Sequence, residues 1–321
     1  MNKKTLTIII LAFIAVIIAL ILFDFLGNQP GKRGGNPYEY EMDDLESVDP
    51  SLIHYRESRN ISLGDNVAMA FNIHDDVLYI TGDQYLRVIQ PNGVQVFYQT
   101  LEDSGTCVEV SDDFIFIGFE DHIEKFDNKG NFIQRWQNPG QKTLITSLAV
   151  KEDRLYAADA GNRRVLIYDL EGNLLGNFEG KAESEMGHGF IVPSPNFDLV
   201  VNAYGDLWVV NPGKHAIENY SGNGEMRGFW QSSSMGIDGF LGCCNPAELT
   251  VLPDGSFVTS EKGVVRIKVY DESGKLLSVV APPSKFKKEG KAPEVAVDSK
   301  GVIYALDFDK NMIRIFEKNK V

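Results

Sequence analysis

Leu144 to Gly180 reads LITSLAVKEDRLYAADAGNRRVLIYDLEGNLLGNFEG, four short apolar runs joined by tight turns. The runs are LITSLAV, RLYAAD, RRVLIYD and LLGNF, rich in β-branched and aromatic residues. The breaks fall at Glu152-Asp153, Ala160-Gly161-Asn162 and Glu171-Gly172-Asn173. Short apolar runs punctuated this way are strand and hairpin signals. One antiparallel sheet of four strands buries little by itself, so the unit needs neighbours of its own kind.

The rest of the chain supplies them. A polar turn followed by an apolar triplet recurs at Asp76-VLY, Asp113-FIF, Asp153-RLY, Asp206 in GDLW, Gly255-SFV and Gly301-VIY. The third apolar residue falls at Tyr79, Phe116, Tyr156, Trp208, Val258 and Tyr304, with successive gaps of 37, 40, 52, 50 and 46 residues. Those gaps suit four-stranded propeller blades, and six repeats predict an all-β, six-bladed propeller of antiparallel blades. The sixth repeat has PEVAV, VIYALDF and MIRIFEK but lacks an outermost strand. A spare strand-like segment at 52–63, LIHYRESRNISL, precedes the first repeat. Adding it to the last blade closes the ring and removes two open sheet edges.

The third repeat resembles the NHL repeat. Asp159, Asn162, Arg164 and Val165 match its middle motif, and Asp169 with Gly172 its end. The sixth keeps Asp307, Asn311, Arg314 and Ile315 with one extra residue. The fifth keeps Asp254, Gly255 and Arg266, and its Asn245-Pro246 resembles the proline that opens many such repeats. The others match in apolar pattern alone. The resemblance covers about residues 52–321 and implies architecture rather than activity, because such propellers include binding platforms, lyases and hydrolase-like enzymes. Asp159, Asn162 and Arg164 are expected to be structural, the Asp and Asn shaping a turn and the Arg pairing with a carboxylate between blades.

Ahead of the repeats, Thr5 to Phe23 runs 19 residues without a charge. At about 1.5 Å per residue a helix of that length spans the hydrocarbon layer. The run is long for a signal-peptide core, and no small-x-small cleavage site follows it before Asp24. We therefore expect residues 1–27 to be an uncleaved signal anchor, with 5–23 in the membrane. Residues 28–50 read as a flexible tether and 51–321 as the propeller. Lys3 and Lys4 favour an N-terminus inside, placing the propeller outside the cytoplasm, periplasmic or extracellular.

The formal charge of -14 argues against nucleic acid. A basic stretch, Lys285, Lys287, Lys288 and Lys291, reads as a solvated loop or a contact for anionic lipid. The histidines show no zinc spacing, and no G-x-S-x-G, P-loop or dinucleotide fingerprint is present. No cofactor is required by the sequence, although a propeller axis can hold a structural calcium.

Loop length is the remaining signal. The links Lys181–Pro195, Gln231–Cys244 and Ala281–Pro293 are long and join neighbouring blades, so they form one half-rim on the face where binding usually resides. The expected binding residues there are His188, Phe190, His215, Trp230, Met235, Phe240, Leu241, Cys243, Cys244 and Asn245. The favoured function is binding of a protein or small molecule on that face, without chemistry of its own. The alternative is a redox- or metal-dependent enzyme, lyase-like or hydrolase-like, using the channel mouth and the Cys243-Cys244 loop. Of the three cysteines, Cys107 is expected as a buried free thiol. The adjacent pair is either a strained vicinal disulfide or two free thiols, with metal ligation behind both. It is placed near the channel mouth with Phe240 and Leu241 packed beside it.

Overall fold

A computed structural model describes residues 2–27, 45–180 and 189–320. The chain divides into two units, Met1–Asp44 and Leu45–Val321. In the first, α1 (Lys3–Gly27) contains the one helix, Lys4–Phe23, long and apolar enough to cross a membrane among the described residues.

The second unit begins its sheets with β1 (Tyr55–Ser62). Blade one is β2 (Ala68–His74), β3 (Val77–Gly82), β4 (Tyr85–Ile89) and β5 (Gln95–Thr100). Blade two is β6 (Cys107–Val110), β7 (Phe114–Gly118), β8 (Ile123–Asp127) and β9 (Phe132–Arg135). Blade three is β10 (Ile145–Lys151), β11 (Arg154–Asp159), β12 (Arg164–Asp169) and β13 (Leu174–Phe178). Blade four is β14 (Leu199–Val201), β15 (Leu207–Asn211), β16 (Ala216–Tyr220) and β17 (Met226–Gln231). Blade five is β18 (Glu248–Val251), β19 (Phe257–Glu261), β20 (Arg266–Tyr270) and β21 (Leu276–Ala281). Blade six is β22 (Glu294–Val297), β23 (Ile303–Asp307) and β24 (Met312–Lys318), completed on its outside by β1. The register of that closure runs from Tyr55 opposite Lys318 to Ser62 opposite Met312. Every blade is a four-stranded antiparallel sheet, and the protein is a six-bladed propeller.

The core lies between blades, which is why one blade cannot stand alone. Phe71, Leu78 and Ile80 of blade one meet Tyr304, Leu306 and Ile313 of blade six. Tyr156, Val165 and Ile167 of blade three meet Leu207, Val209 and Tyr220 of blade four. Similar clusters fill the other four junctions.

Polar residues fix the turns. Asp169 Oδ1 accepts the amides of Glu171 at 3.0 Å and Asn173 at 2.8 Å. Asp127 and Asp271 repeat this in blades two and five. The glycine of that turn is required for two reasons at Gly172: φ is +87°, and a Cβ there falls 2.5 Å from the Trp136 ring.

Asp159 and Asn162 shape the turn as expected, Asp159 Oδ1 accepting the Asn162 amide at 3.2 Å, but Arg164 pairs differently from the expectation. Arg164 Nε donates to Asp159 Oδ2 at 2.9 Å and Asn162 Nδ2 donates to the same oxygen at 2.8 Å. The Arg thus pairs within its own blade rather than between blades, because β11 and β12 place the two residues opposite each other. Arg164 Nη2 also reaches the Pro139 carbonyl of the preceding link. Glu261–Arg266 with the Gly239 carbonyl, and Asp307–Arg314 with the Lys285 carbonyl, repeat the device in blades five and six. A carboxylate–arginine pair therefore anchors the link that enters each of these blades.

Candidate functional site at the channel mouth

The inner strands β2, β6, β10, β14, β18 and β22 have no sheet neighbour toward the axis, so some of their amides need other partners. Three carboxylates from alternate blades provide them. Glu294 of blade six accepts the Phe71 amide of blade one at 2.7 Å. Glu109 of blade two accepts the Val150 amide of blade three at 3.2 Å. Asp198, at the entry to blade four, accepts the Leu249 amide of blade five at 2.6 Å. Side chains from the blade before complete two of these sites: Asn72 Nδ2 donates to Glu109, and Ser147 Oγ donates to Asp198 at 2.6 Å. The carboxylates act as staples between blades, around a cavity of about 200 Å³ on the axis.

Glu248 of blade five is a fourth acid, 3.4 Å from Asn196 Nδ2. Four carboxyl groups in so narrow a space do not all ionise at neutral pH. Burial lifts Asp198 to about 6 and Glu109 to about 8. Burial, then the charges of Asp198 and Glu294, hold Glu248 well above the usual carboxylate range. Burial does the same to Glu294, opposed by its hydrogen bond from Phe71.

Sequence reasoning did not single out these acids, although a signal was present. Phe197-Asp198-Leu199, Ala247-Glu248-Leu249 and Pro293-Glu294-Val295 put an acid among apolar neighbours at gaps of 50 and 46 residues. Those are the gaps already found between Trp208, Val258 and Tyr304.

Above the staples the channel opens into a cavity of about 620 Å³. Its wall includes Val67, Thr106, Leu144, Pro195, Glu248 and Ala292, which precede or begin the inner strands, and Lys262 from the β19–β20 turn. The mouth therefore lies on the face that carries the links between blades. Met69 and Phe308 add apolar surface, while Lys262, Lys291, Glu248 and Glu294 bring two cations and two carboxyl groups to the same space.

Most of the side chains expected to meet a partner point inward. Phe190, Trp230 and Phe240 are buried, at 3%, 8% and 1% exposure. Phe190 packs at an angle against Phe197 and Tyr220, and Phe240 stacks on Trp230 and packs at an angle against Tyr270. Their apolar surfaces are satisfied by the junctions between blades. Cys244 and Asn245 are buried as well, His215 and Leu241 are half-buried, and Met235 and Cys243 are exposed. His188 lies outside the described residues.

The link holding Phe240 is fastened from beneath by buried charge. Lys268 Nζ lies 2.7 Å from Glu261 Oε1 and donates to the Gly239 and Ile237 carbonyls, at 2.6 and 3.1 Å. Burial lowers its ammonium to about 8, against the pull of Glu261. The His215 ring meets the Phe240 carbonyl at 2.8 Å.

Asn245 ties the cysteine loop to the mouth. Its Oδ1 accepts the Lys262 amide at 3.0 Å, and its Nδ2 donates to the carbonyls of Lys262 and Leu241 at 3.1 and 2.5 Å. Leu241 N in turn donates to Glu261 Oε2 at 3.0 Å. Cys107, Cys243 and Cys244 are all free thiols, and Cys107 is buried against the axial cavity. Among the described residues no three His, Cys, Asp or Glu side chains converge as they would to hold a metal.

Neither a family model nor a curated protein sequence matches the chain. Solved structures do. A streptogramin B lyase superposes with a TM-score of 0.58 at 12% identity, covering 83% of this chain and 97% of that one. The virginiamycin B lyase from Staphylococcus aureus gives 0.58 at 14% identity, covering 83% and 89%. The WD40 propeller domain of Doa1 gives 0.57 at 11% identity, covering 83% and 98%. At these identities the likeness is one of fold, shared by proteins of different function.

Proposed function

We propose that this is a membrane-anchored propeller, held outside the cytoplasm by residues 1–27, that binds a partner at the mouth of its channel. The observation that carries the reading is the 620 Å³ cavity itself. It combines apolar walls with a few convergent charged groups, the usual make-up of a ligand site on a rigid scaffold. The occupant is a small molecule, or one side chain of a protein, with an apolar body and an ionic head. The anchor is supported by the length and composition of Lys4–Phe23, and its direction by Lys3 and Lys4. The repeats are read as NHL-like, supported by the carboxylate–arginine device of Asp159–Arg164 and Asp307–Arg314.

A mouth-filling variant tests the binding reading. Met69 is 41% exposed and lines the cavity, so Met69→Trp occupies the space without entering the core. Native mass spectrometry of detergent-purified protein, followed by thermal shifts with compounds that co-purify, is the assay. The variant is expected to keep its unliganded melting temperature and lose the ligand shift. A ligand shift that survives puts the site elsewhere. Protease access in intact cells against spheroplasts and lysed cells reads the side of the membrane.

A second reading, lyase-like chemistry at the same mouth, is favoured by one feature. Glu248 and Glu294, held well above the ordinary carboxylate range, share the cavity with Lys262 and Lys291. A carboxyl that keeps its proton above the ordinary range, in one cavity with ammonium groups, is a donor set suited to general acid–base work. Two of the superposing structures are lyases. Turnover abolished by Glu294→Gln with binding retained decides for this reading.

A further inference from the structure

We propose that Cys243 and Cys244 form a redox-active dithiol, closed to a vicinal disulfide by exchange with a small disulfide that reaches the mouth of the channel. The inference is independent of whether the mouth binds a ligand. Their sulfurs lie 3.0 Å apart, closer than the roughly 3.5–4.0 Å at which non-bonded carbons pack. No third ligand converges on them among the described residues, so the pair is arranged for reaction with each other rather than for enclosing a metal.

The two thiols differ in access. Cys243 is exposed, and Cys244 is 5% exposed beneath it. The Ser194 hydroxyl and the Lys262 ammonium act on Cys244 from nearby, and Lys262 Nζ donates to Ser194 Oγ at 2.8 Å. Burial raises the Cys244 thiol, but the hydrogen bond from Cys243, the Ser194 hydroxyl and the Lys262 ammonium outweigh it and bring it below the ordinary value. The hydrogen bond to Cys244 and its charge raise Cys243. The surroundings thus favour the deprotonated form on the inner sulfur over the outer one. The Asn245 clamp holds the loop against the β19–β20 turn, and Gly242, at φ +79° with open space around it, gives the preceding backbone room to adjust.

The chemistry divides accordingly. Cys243 passes its proton to Cys244 and attacks one sulfur of the incoming disulfide, forming a mixed disulfide and expelling one thiolate. Cys244 gives up its proton, which Lys262 favours by stabilising the thiolate, and attacks Cys243 Sγ. The mixed disulfide breaks, the second thiolate leaves, and the Cys243–Cys244 bond forms. Starting with the inner sulfur deprotonated, the pair loses two electrons and its one remaining proton; the small disulfide gains the two electrons and, with that proton and a second from solvent, becomes two thiols. Closure removes the ionisable thiol nearest Lys262 on the rim of the mouth.

The test equilibrates the folded full-length chain with oxidised and reduced glutathione in graded ratios, then quenches, denatures and alkylates it for intact mass. Wild type is expected to lose two alkylatable thiols and the mass of two hydrogens, with Cys107 still alkylated. Cys244→Ser is expected to accumulate glutathione on Cys243, and Cys243→Ser to remain unmodified. Lys262→Met keeps its backbone clamp and is expected to slow closure several-fold. Three thiols retained in the most oxidising buffer overturn the proposal. So does a stable mixed disulfide on Cys243 of the wild type. Closure at an unchanged rate in Lys262→Met overturns the role given to that ammonium.

Discussion

Arg314 donates two hydrogen bonds to the Glu57 carboxylate, at 2.6 and 3.1 Å, across the seam where β24 meets β1. Arg314 is buried and Glu57 partly so, so neither fully desolvated nor fully screened energetics apply. Glu57→Gln keeps one acceptor oxygen but removes the charge, leaving Asp307 as the carboxylate paired with Arg314. We expect it to lower unfolding free energy by about 2 kcal/mol, between exposed and buried pairs. The Arg314 hydrogen bond holds Glu57 below its ordinary 4.5. Its contribution is therefore present above pH 4.5 and lost as pH falls through the lower folded value. Urea titrations at pH 7 and pH 3.5 are expected to show the mutant's deficit shrinking at the lower pH.

The axial carboxyls have the opposite sign. Asp198, Glu109, Glu248 and Glu294 hold protons in the fold at pH values where the unfolded chain has released them. Stability from them is greatest below the unfolded values near 4. It declines as pH rises through about 6 for Asp198 and about 8 for Glu109, by up to ~1.4 kcal/mol per pH unit per proton. His122, raised mainly by its hydrogen bond with Glu124, adds a decline of the same sign. Glu109→Gln separates the two: the fall in melting temperature between pH 5 and 8.5 is expected to become shallower. A wild-type melting temperature that climbs over this range contradicts the assignment.

Under the Phe240 link, Glu261 balances both Arg266 and Lys268 in a fully buried cluster. Glu261→Gln leaves two cations without their anion and is expected to cost about 3–5 kcal/mol in chemical denaturation. Lys268→Met retains the Glu261–Arg266 pair and removes one buried charge, so its cost is expected to be much smaller. Equal losses in the two variants argue that packing, not charge, holds the link.

Gly172 offers a backbone test. Its φ of +87° disfavours any side chain, and its Cβ position falls 2.5 Å from Trp136. Gly172→Ala is expected to destabilise by about 2–3 kcal/mol, combining left-handed strain with displacement of the indole. A matching change in Trp136 fluorescence checks that the ring moved.

The architecture was legible because its signals are local and repeated. Tyr79, Phe116 and Tyr156 recur at blade spacing, and Asp169 with Gly172 marks a turn whose chemistry needs those residue types. The site was less legible for physical reasons. Phe190 and Phe240 sit in links, where position alone implies exposure, yet their rings enter junctions visible only once blades are side by side. Glu294 looks like an ordinary charge at the start of a strand, and its role exists only through Phe71, 223 residues away in sequence. Proximity to the mouth could be argued for the cysteine loop from blade topology; the Asn245 clamp and the Lys262 contact could not.

The seam between β1 and β24 also sets a timetable. Glu57 leaves the ribosome 257 residues ahead of Arg314, a lag of roughly ten to fifty seconds at ordinary synthesis rates. Throughout that interval the first strand has no partner, and the early blades form an open arc with an unfinished junction at each end. Circularisation therefore waits on the synthesis of β24.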